Sequence, residues 1–238
     1  MRRLATHSDA RSHLFALFVG VAAVLAAPAP ASAQSPYIAA AVGIDVSRLD
    51  RFEGPFTNDV RPDGEAVAVS LRVGTAIGRR WGVDLAYTRP DQVTREASQG
   101  FPIPLLTAIP EGGLVDGALA PLYGSRYRVS RRNSTIDISG WAAQRVGDDV
   151  TLVYMAGIAF ARVTEKFEFG DGPRVAGLIV PGPTITTTYG MGPLVGWEAR
   201  IALTDHVFVV PGVRLAGVSG PSGDGWLFRA TTGLGWRF

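Results

Sequence analysis

The chain contains no cysteine. That absence removes disulfide scaffolds, thiol nucleophiles and thiolate metal sites together. Histidine is nearly as scarce: His7 and His13 lie in the N-terminal segment, and His206 is the only one beyond residue 33. With one histidine and no cysteine only carboxylates remain as ligands, so neither a metal site nor a cofactor is expected. An excess of either charge is missing too. Without Arg2, Arg3, Arg11 and Asp9 the chain carries 20 basic and 20 acidic residues. A chain of zero net charge gives no support for nucleic-acid binding, which wants a basic excess on one face.

Residues 1–33 read as a secretory signal. Arg2, Arg3 and Arg11 supply the positive start, Leu14 to Ala27 the apolar run, and Ala31-Ser32-Ala33 the small-x-small pattern before Gln34. A run of that length spans about 21 Å as a helix, short of a hydrocarbon core of about 30 Å. It is therefore read as cleaved after Ala33 rather than kept as an anchor. The residues after Arg2-Arg3, Leu4-Ala5-Thr6-His7, do not continue a twin-arginine signature. Two parts are expected, a signal peptide over 1–33 and one domain over 34–238, which at about 205 residues can bury a core without staples.

Beyond residue 33 no convincing amphipathic helix is found, and period-two alternation recurs instead. In Glu65 to Gly78, Val67, Val69, Leu71, Val73 and Ile77 share one parity, and Ala68, Ser70, Arg72, Gly74 and Ala76 the other. The same pattern predicts strands at Tyr37 to Val46, Gly82 to Arg89, Tyr127 to Ala143, Val150 to Phe169, Thr184 to Leu203, Val207 to Val218 and Trp226 to Phe238. Pro193 and Pro211 fall inside two of these strands, where proline removes ladder donors, so a bulge or a different register is expected there.

The links alternate in length. Short turns fall at Arg79 to Trp81, Val146 to Asp149 and Thr204 to His206. Long links fall at Ser47 to Gly64, Pro90 to Arg126 and Gly170 to Pro183, and Ser219 to Gly225 is intermediate. Short turns at one end and long loops at the other are the layout of an up-and-down transmembrane β-barrel of about eight antiparallel strands. Closure removes the exposed edges that an open sheet would leave, and it is obligatory if the apolar face meets lipid. The alternative is a soluble barrel or sandwich with the apolar parity as its core.

The charged parity favours the membrane reading. Asp45, Arg72, Asp84, Asp137, Glu198, Arg200, Arg214, Arg229 and Arg237 all fall among glycine, alanine, serine and threonine on the predicted inward face. An eight-stranded barrel has an interior just wide enough to be filled by side chains. Charges there must pair or cost several kcal/mol each, so pairs such as Arg72 with Asp84 and Glu198 with Arg214 are expected. Trp226, Trp236, Phe238, Trp197 and Tyr189 are candidates for interfacial girdles.

The last strand ends on Phe238, preceded at two-residue steps by Trp236 and Leu234. This resembles the C-terminal aromatic signature by which the barrel-assembly machinery recognises its clients. With the signal and the strands, the chain resembles the OmpA/OmpX-like superfamily of small outer-membrane β-barrels. The resemblance implies residence in the cell outer membrane, contact with membrane lipid and lipopolysaccharide, and an assembly signal at Leu234, Trp236 and Phe238. The peptidoglycan-binding domain that follows the barrel in OmpA has no counterpart here, so a tethering role does not carry over.

Enzymes on small barrels of this kind use a histidine with a serine and a carboxylate. Here His206 stands beside Asp205 in a predicted short turn, at the wrong end for outer-leaflet chemistry, and no enzyme is expected. Asp171 and Asp224 lie in glycine-rich turn sequences, and Gly190-Met191-Gly192 sits within a strand and precedes no helix, so it is not a phosphate loop. The segment from Pro90 to Arg126 is unusually apolar for a loop. It could pack on itself or its neighbours, fold over the barrel mouth, enter it as a plug, or bind a hydrophobic ligand or partner. Two roles stay open: a structural or surface-interaction barrel with a blocked, charge-paired lumen, and a narrow channel or hydrophobic-ligand conduit.

Overall fold

A computed structural model describes residues 36–49, 63–98, 126–169, 183–221 and 223–238. The signal sequence, the cleavage point, Asp171 and the apolar stretch around Phe101 lie outside the described residues. Among the described residues there are ten strands: β1 (Pro36–Leu49), β2 (Gly64–Ala76), β3 (Trp81–Pro90), β4 (Val93–Ser98), β5 (Arg126–Arg145), β6 (Val150–Phe169), β7 (Thr184–Ala202), β8 (Val207–Val209), β9 (Gly212–Val218) and β10 (Gly225–Arg237). All pairings are antiparallel, and β10 pairs back onto β1 from Tyr37 opposite Arg237 to Leu49 opposite Gly225. The sheet is thus a closed ring of eight staves, because β3 with β4 and β8 with β9 each form one stave.

The two broken staves have different causes. Between Thr88 opposite Thr135 and Val93 opposite Arg131, four residues of the outer strand, 89–92, face three of β5, 132–134. That is a bulge, and it places Pro90 where its missing N–H costs no ladder bond. Link length alone assigns Pro90 to Arg126 wholly to a loop. Its first part instead continues the stave as β4, since Thr94, Arg95 and Glu96 pair readily with β5 once the bulge restores the alternation.

At Pro211 no bulge forms. Val209 opposite Ile201 and Gly212 opposite Glu198 keep one register with β7, and the pairing with β10 is equally unbroken. Pro193 likewise leaves the register of β7 on β6 unchanged. Met191 and Ser219 exchange both of their backbone bonds at 3.0 Å, so alternation makes Pro193 with Gly217 and Ala199 with Pro211 the corresponding bonded pairs. Ala199 N still donates to Pro211 O at 2.9 Å. Both prolines therefore withhold their missing donor from the same seam, between β7 and β8/β9. With each backbone bond worth about 1 kcal/mol, amide exchange at Ala199 and Gly217 is expected to be at least about fivefold faster than along the uninterrupted β5–β6 seam. Hydrogen exchange by NMR in bicelles measures this; equal protection of the two seams would show that the prolines cost the ladder nothing.

Walking across the ring from Tyr37 leads through Gly74, Asp84, Ser139, Gly157, Leu194, Ala216 and Leu227 to Ser47, ten residues farther along β1. This stagger obliges the strands to tilt by roughly 40° and fixes a narrow bore. Every residue on that walk faces inward, so the alternation in the sequence maps directly onto inside and outside. The outside is apolar: Val67, Val69, Val195 and Leu234 are all more than half exposed. The inside holds Arg72, Asp84, Asp137 and Glu198, each 5% exposed or less. A soluble sandwich would show the reverse. The turns at 77–80, 146–149 and 203–206 share one end with the chain end, where Phe238 N donates to Pro36 O at 3.1 Å.

Candidate functional site

The bore is narrow enough for side chains to meet across it. Arg72 on β2 donates to Glu198 on β7, the stave diametrically opposite. Arg200, two residues along β7, donates to the same carboxylate at 2.9 Å and to the Tyr37 hydroxyl at 2.6 Å. Tyr37 in turn donates to Asp84, which lies 3.9 Å from both Arg72 and Arg200. Two acids, two arginines and one phenol thus form a single neutral cluster toward the short-turn end.

A second cluster lies farther along the bore. Arg229 donates from Nε to Asp45 at 2.7 Å and from Nη1 to Thr135 at 2.6 Å, and its Nη1 stands 3.5 Å from Asp137 across the lumen. Arg214 approaches Asp137 at 3.4 Å. A third pair, Arg131 with Glu165 at 2.6 Å, joins β5 to β6 near the long-loop end, and Asp63 reaches Arg131 at 3.3 Å.

Eight of the nine inward charges expected from parity, Asp45, Arg72, Asp84, Asp137, Glu198, Arg200, Arg214 and Arg229, are buried in these two inner clusters. The ninth, Arg237, is exposed at the end of the last strand, with its guanidinium 5.6 Å from the Phe208 ring. The expected partners hold only in part. Arg72 and Asp84 face each other at 3.9 Å, but Arg214 reaches Asp137 and not Glu198. The reason is geometric: Glu198 is taken by Arg72 from the opposite wall and by Arg200 on its own strand, and Arg214 reaches across to Asp137.

Sequence reasoning missed the closure at the short-turn end. Tyr37, Trp141 and Phe208 point inward around Arg200, whose guanidinium lies 4.4 Å from the Tyr37 ring centre and 4.7 Å from that of Trp141. Each ring lies over a glycine directly opposite it on the next strand: Tyr37 over Gly74, Trp141 over Gly82 and Phe208 over Gly235. A Cβ at Gly82 would come within 2.1 Å of the Trp141 ring, so only glycine leaves the ring room to lie flat on the wall. The signal was present as inward-parity glycines opposite inward-parity aromatics, and it needed the register to be read. A polar cavity of about 580 Å³ lies at this end, lined by Arg145, Asp148, Arg200, Phe208 and Arg237.

The outer surface carries two aromatic levels. Trp81, Trp236 and Phe238 stand exposed toward the short-turn end, and Tyr189 and Trp226 toward the other. An apolar belt between aromatic girdles, closed without edges and polar within, is the signature of a lipid-embedded barrel. His206 stacks on Trp236 with ring centres 5.5 Å apart, and its Nδ1 lies 3.0 Å from Arg237 O. It sits in the short turn with Asp205, away from the lumen charges.

No protein-family model and no curated protein sequence matches the chain. Among solved structures, a major outer membrane protein from Thermus thermophilus superposes with TM-score 0.50 at 14% identity, over 87% of this chain and 100% of that one. The chain has the fold of an eight-stranded transmembrane β-barrel. Ail of Yersinia pestis (TM-score 0.45, 10% identity, 87% of this chain and 99% of that one) and the N-terminal barrel of Pseudomonas aeruginosa OprF (0.44, 12%, 87% and 100%) are also similar. The apolar belt is the surface that a barrel of this fold turns to lipid.

Proposed function

We propose that this outer-membrane barrel is not a conduit but a plugged scaffold, serving a structural or surface-interaction role through the long loops at the end away from its short turns. The observation that carries this reading is the tie from Arg72 to Glu198 across the full bore, backed by Arg200 held among Tyr37, Trp141 and Phe208. Four arginines and four acids balance in the two inner clusters, so the bore offers no field of one sign to draw ions through. Its charges are paired with one another, though Arg72 Nε, Asp84 Oδ2, Asp137 Oδ1, Arg214 Nη2 and Arg229 Nη2 make no hydrogen bond, and an entering solute would have to break buried pairs worth several kcal/mol.

In this reading the end with the short turns and the chain terminus faces the periplasm. Residues 1–33 serve as the export signal, Leu234, Trp236 and Phe238 on the lipid face serve as the signal read by the barrel-assembly machinery, and lipopolysaccharide surrounds the long-loop end. Single-channel recording of the protein purified from outer membranes tests the plug. Wild type is expected to be silent across planar bilayers, and a steady, ion-selective conductance would replace the scaffold by a narrow channel.

A further inference from the structure

Three of the arginines unused by the lumen stand near one another on the outside of the barrel. Arg89 on β3, Arg132 on β5 and Arg162 on β6 have the lipid-facing parity of Tyr87, Ile136 and Phe160. The register sets Ser134 opposite Arg162, and Arg132 opposite Thr164 one pleat repeat higher. Arg89 follows Thr88, the partner of Thr135, and so stands at the level of Ser134. With strands about 4.8 Å apart, Arg89 and Arg162 are separated by roughly 10 Å, with Arg132 between them and about 7 Å farther along. Arginine side chains are long enough to bring three guanidiniums together over that span.

Their level is the membrane interface at the long-loop end. Tyr189, 65% exposed, is the register partner of Arg162 on β7, and Phe160 lies two residues below Arg162 in the apolar belt. None of the three arginines forms an ion pair among the described residues, although Arg128 and Arg131 on the same strand are paired with Glu96 and Glu165. The nearest acid along the chain, Asp91, is exposed and makes no ion pair there either. The Arg132 Nε is buried without a hydrogen-bond partner. Arginine at a lipid boundary would ordinarily only snorkel into the headgroups. Three within reach of one patch, none of them in an ion pair among the described residues, match an anion that accepts several bidentate bonds, which is the chemistry of phosphate.

We infer that Arg89, Arg132 and Arg162 form a binding site for the phosphate groups of a glycolipid headgroup in the outer leaflet. The site faces lipid rather than water, so its occupant is a membrane lipid and not a free anion. The inference rests on the orientation given above and not on whether the lumen conducts.

Native mass spectrometry of the detergent-purified protein tests it, with bis-phosphorylated lipid A and its dephosphorylated form as probes. Charge-assisted bonds from three arginines predict at least about tenfold tighter binding of the phosphorylated form. That preference is expected to fall below about threefold in Arg89→Gln/Arg132→Gln/Arg162→Gln, and to be unchanged in Arg48→Gln, an exposed arginine on β1. Heat-dependent gel mobility reports whether each variant is folded; if the triple variant is not, each single variant is expected to lose about two- to threefold. Equal wild-type affinity for the two lipids, or a preference that survives the substitutions, would overturn the site.

Discussion

Alanine in place of Glu198 is expected to cost the barrel about 3–5 kcal/mol, the loss that follows when one partner of a buried ion pair is removed. Glu198 is 1% exposed and accepts from both Arg72 and Arg200. Without it, two guanidiniums are left with one carboxylate, Asp84, 3.9 Å from each. Denaturant unfolding in lipid vesicles, followed by tryptophan fluorescence, measures the loss. The same substitution severs the tie across the bore, so small conductances are expected in a protein that is otherwise silent. Arg72→Met/Glu198→Leu separates charge from plugging: apolar side chains of similar size fill the same space, and such replacements are often neutral or stabilising by about 1–4 kcal/mol. That variant is expected to be stable and silent. A Glu198→Ala loss under about 1 kcal/mol would mean that water already screens the cluster, which contradicts a plugged lumen.

The second large effect is expected at the aromatic closure. Trp141→Ala should destabilise by about 3–5 kcal/mol, because a 5% exposed indole is lost from the core of the short-turn end and the cation–π contact to Arg200 goes with it. Gly82→Ala should cost about 1–3 kcal/mol through overpacking, since its Cβ would meet the ring at 2.1 Å. The informative result is the pair. In the Trp141→Ala background the obstructing ring is gone but the added Cβ still meets Thr75 O at 2.4 Å, so Gly82→Ala is expected to cost less than in wild type without becoming neutral. A double-mutant cycle measures that coupling. Additive losses would mean that Gly82 is needed for its backbone alone and not for the ring above it.

Both effects arise from contacts whose two sides lie in different regimes of legibility. Gly82 and Trp141 are each on the inward parity of their strands, and once β3 and β5 are set in register they are neighbours. Arg72 and Glu198 are 126 residues apart and on opposite walls, and no adjacent-strand reasoning joins them. The expected pair of Glu198 with Arg214 fails for this reason, while Arg72 and Asp84, on adjacent strands, do come near each other. Arg131 and Glu165 are adjacent-strand partners at the end of a strand whose alternation is plain only over its middle, so the third pair escapes a reading by parity.

The prolines illustrate the converse. Pro193 and Pro211 are expected from the sequence to bend the ladder, yet the register runs through both without a shift, because losing one donor costs less than sliding a whole strand and turning every side chain to the other face. A bulge does occur, at 89–92 beside Pro90, where link length alone suggests that the strand has already ended.

The sequence by itself determined the inside and outside of this protein: a side chain's face follows from parity along its strand, and the strands keep that alternation in the barrel. It also determined which end carries the short turns, because link length needs no fold to be counted. Only the tertiary structure decided which inward groups meet. That depends on ring closure and on the ten-residue stagger from Tyr37 to Ser47, which set the tilt, the width of the bore and therefore the partners that face each other across it.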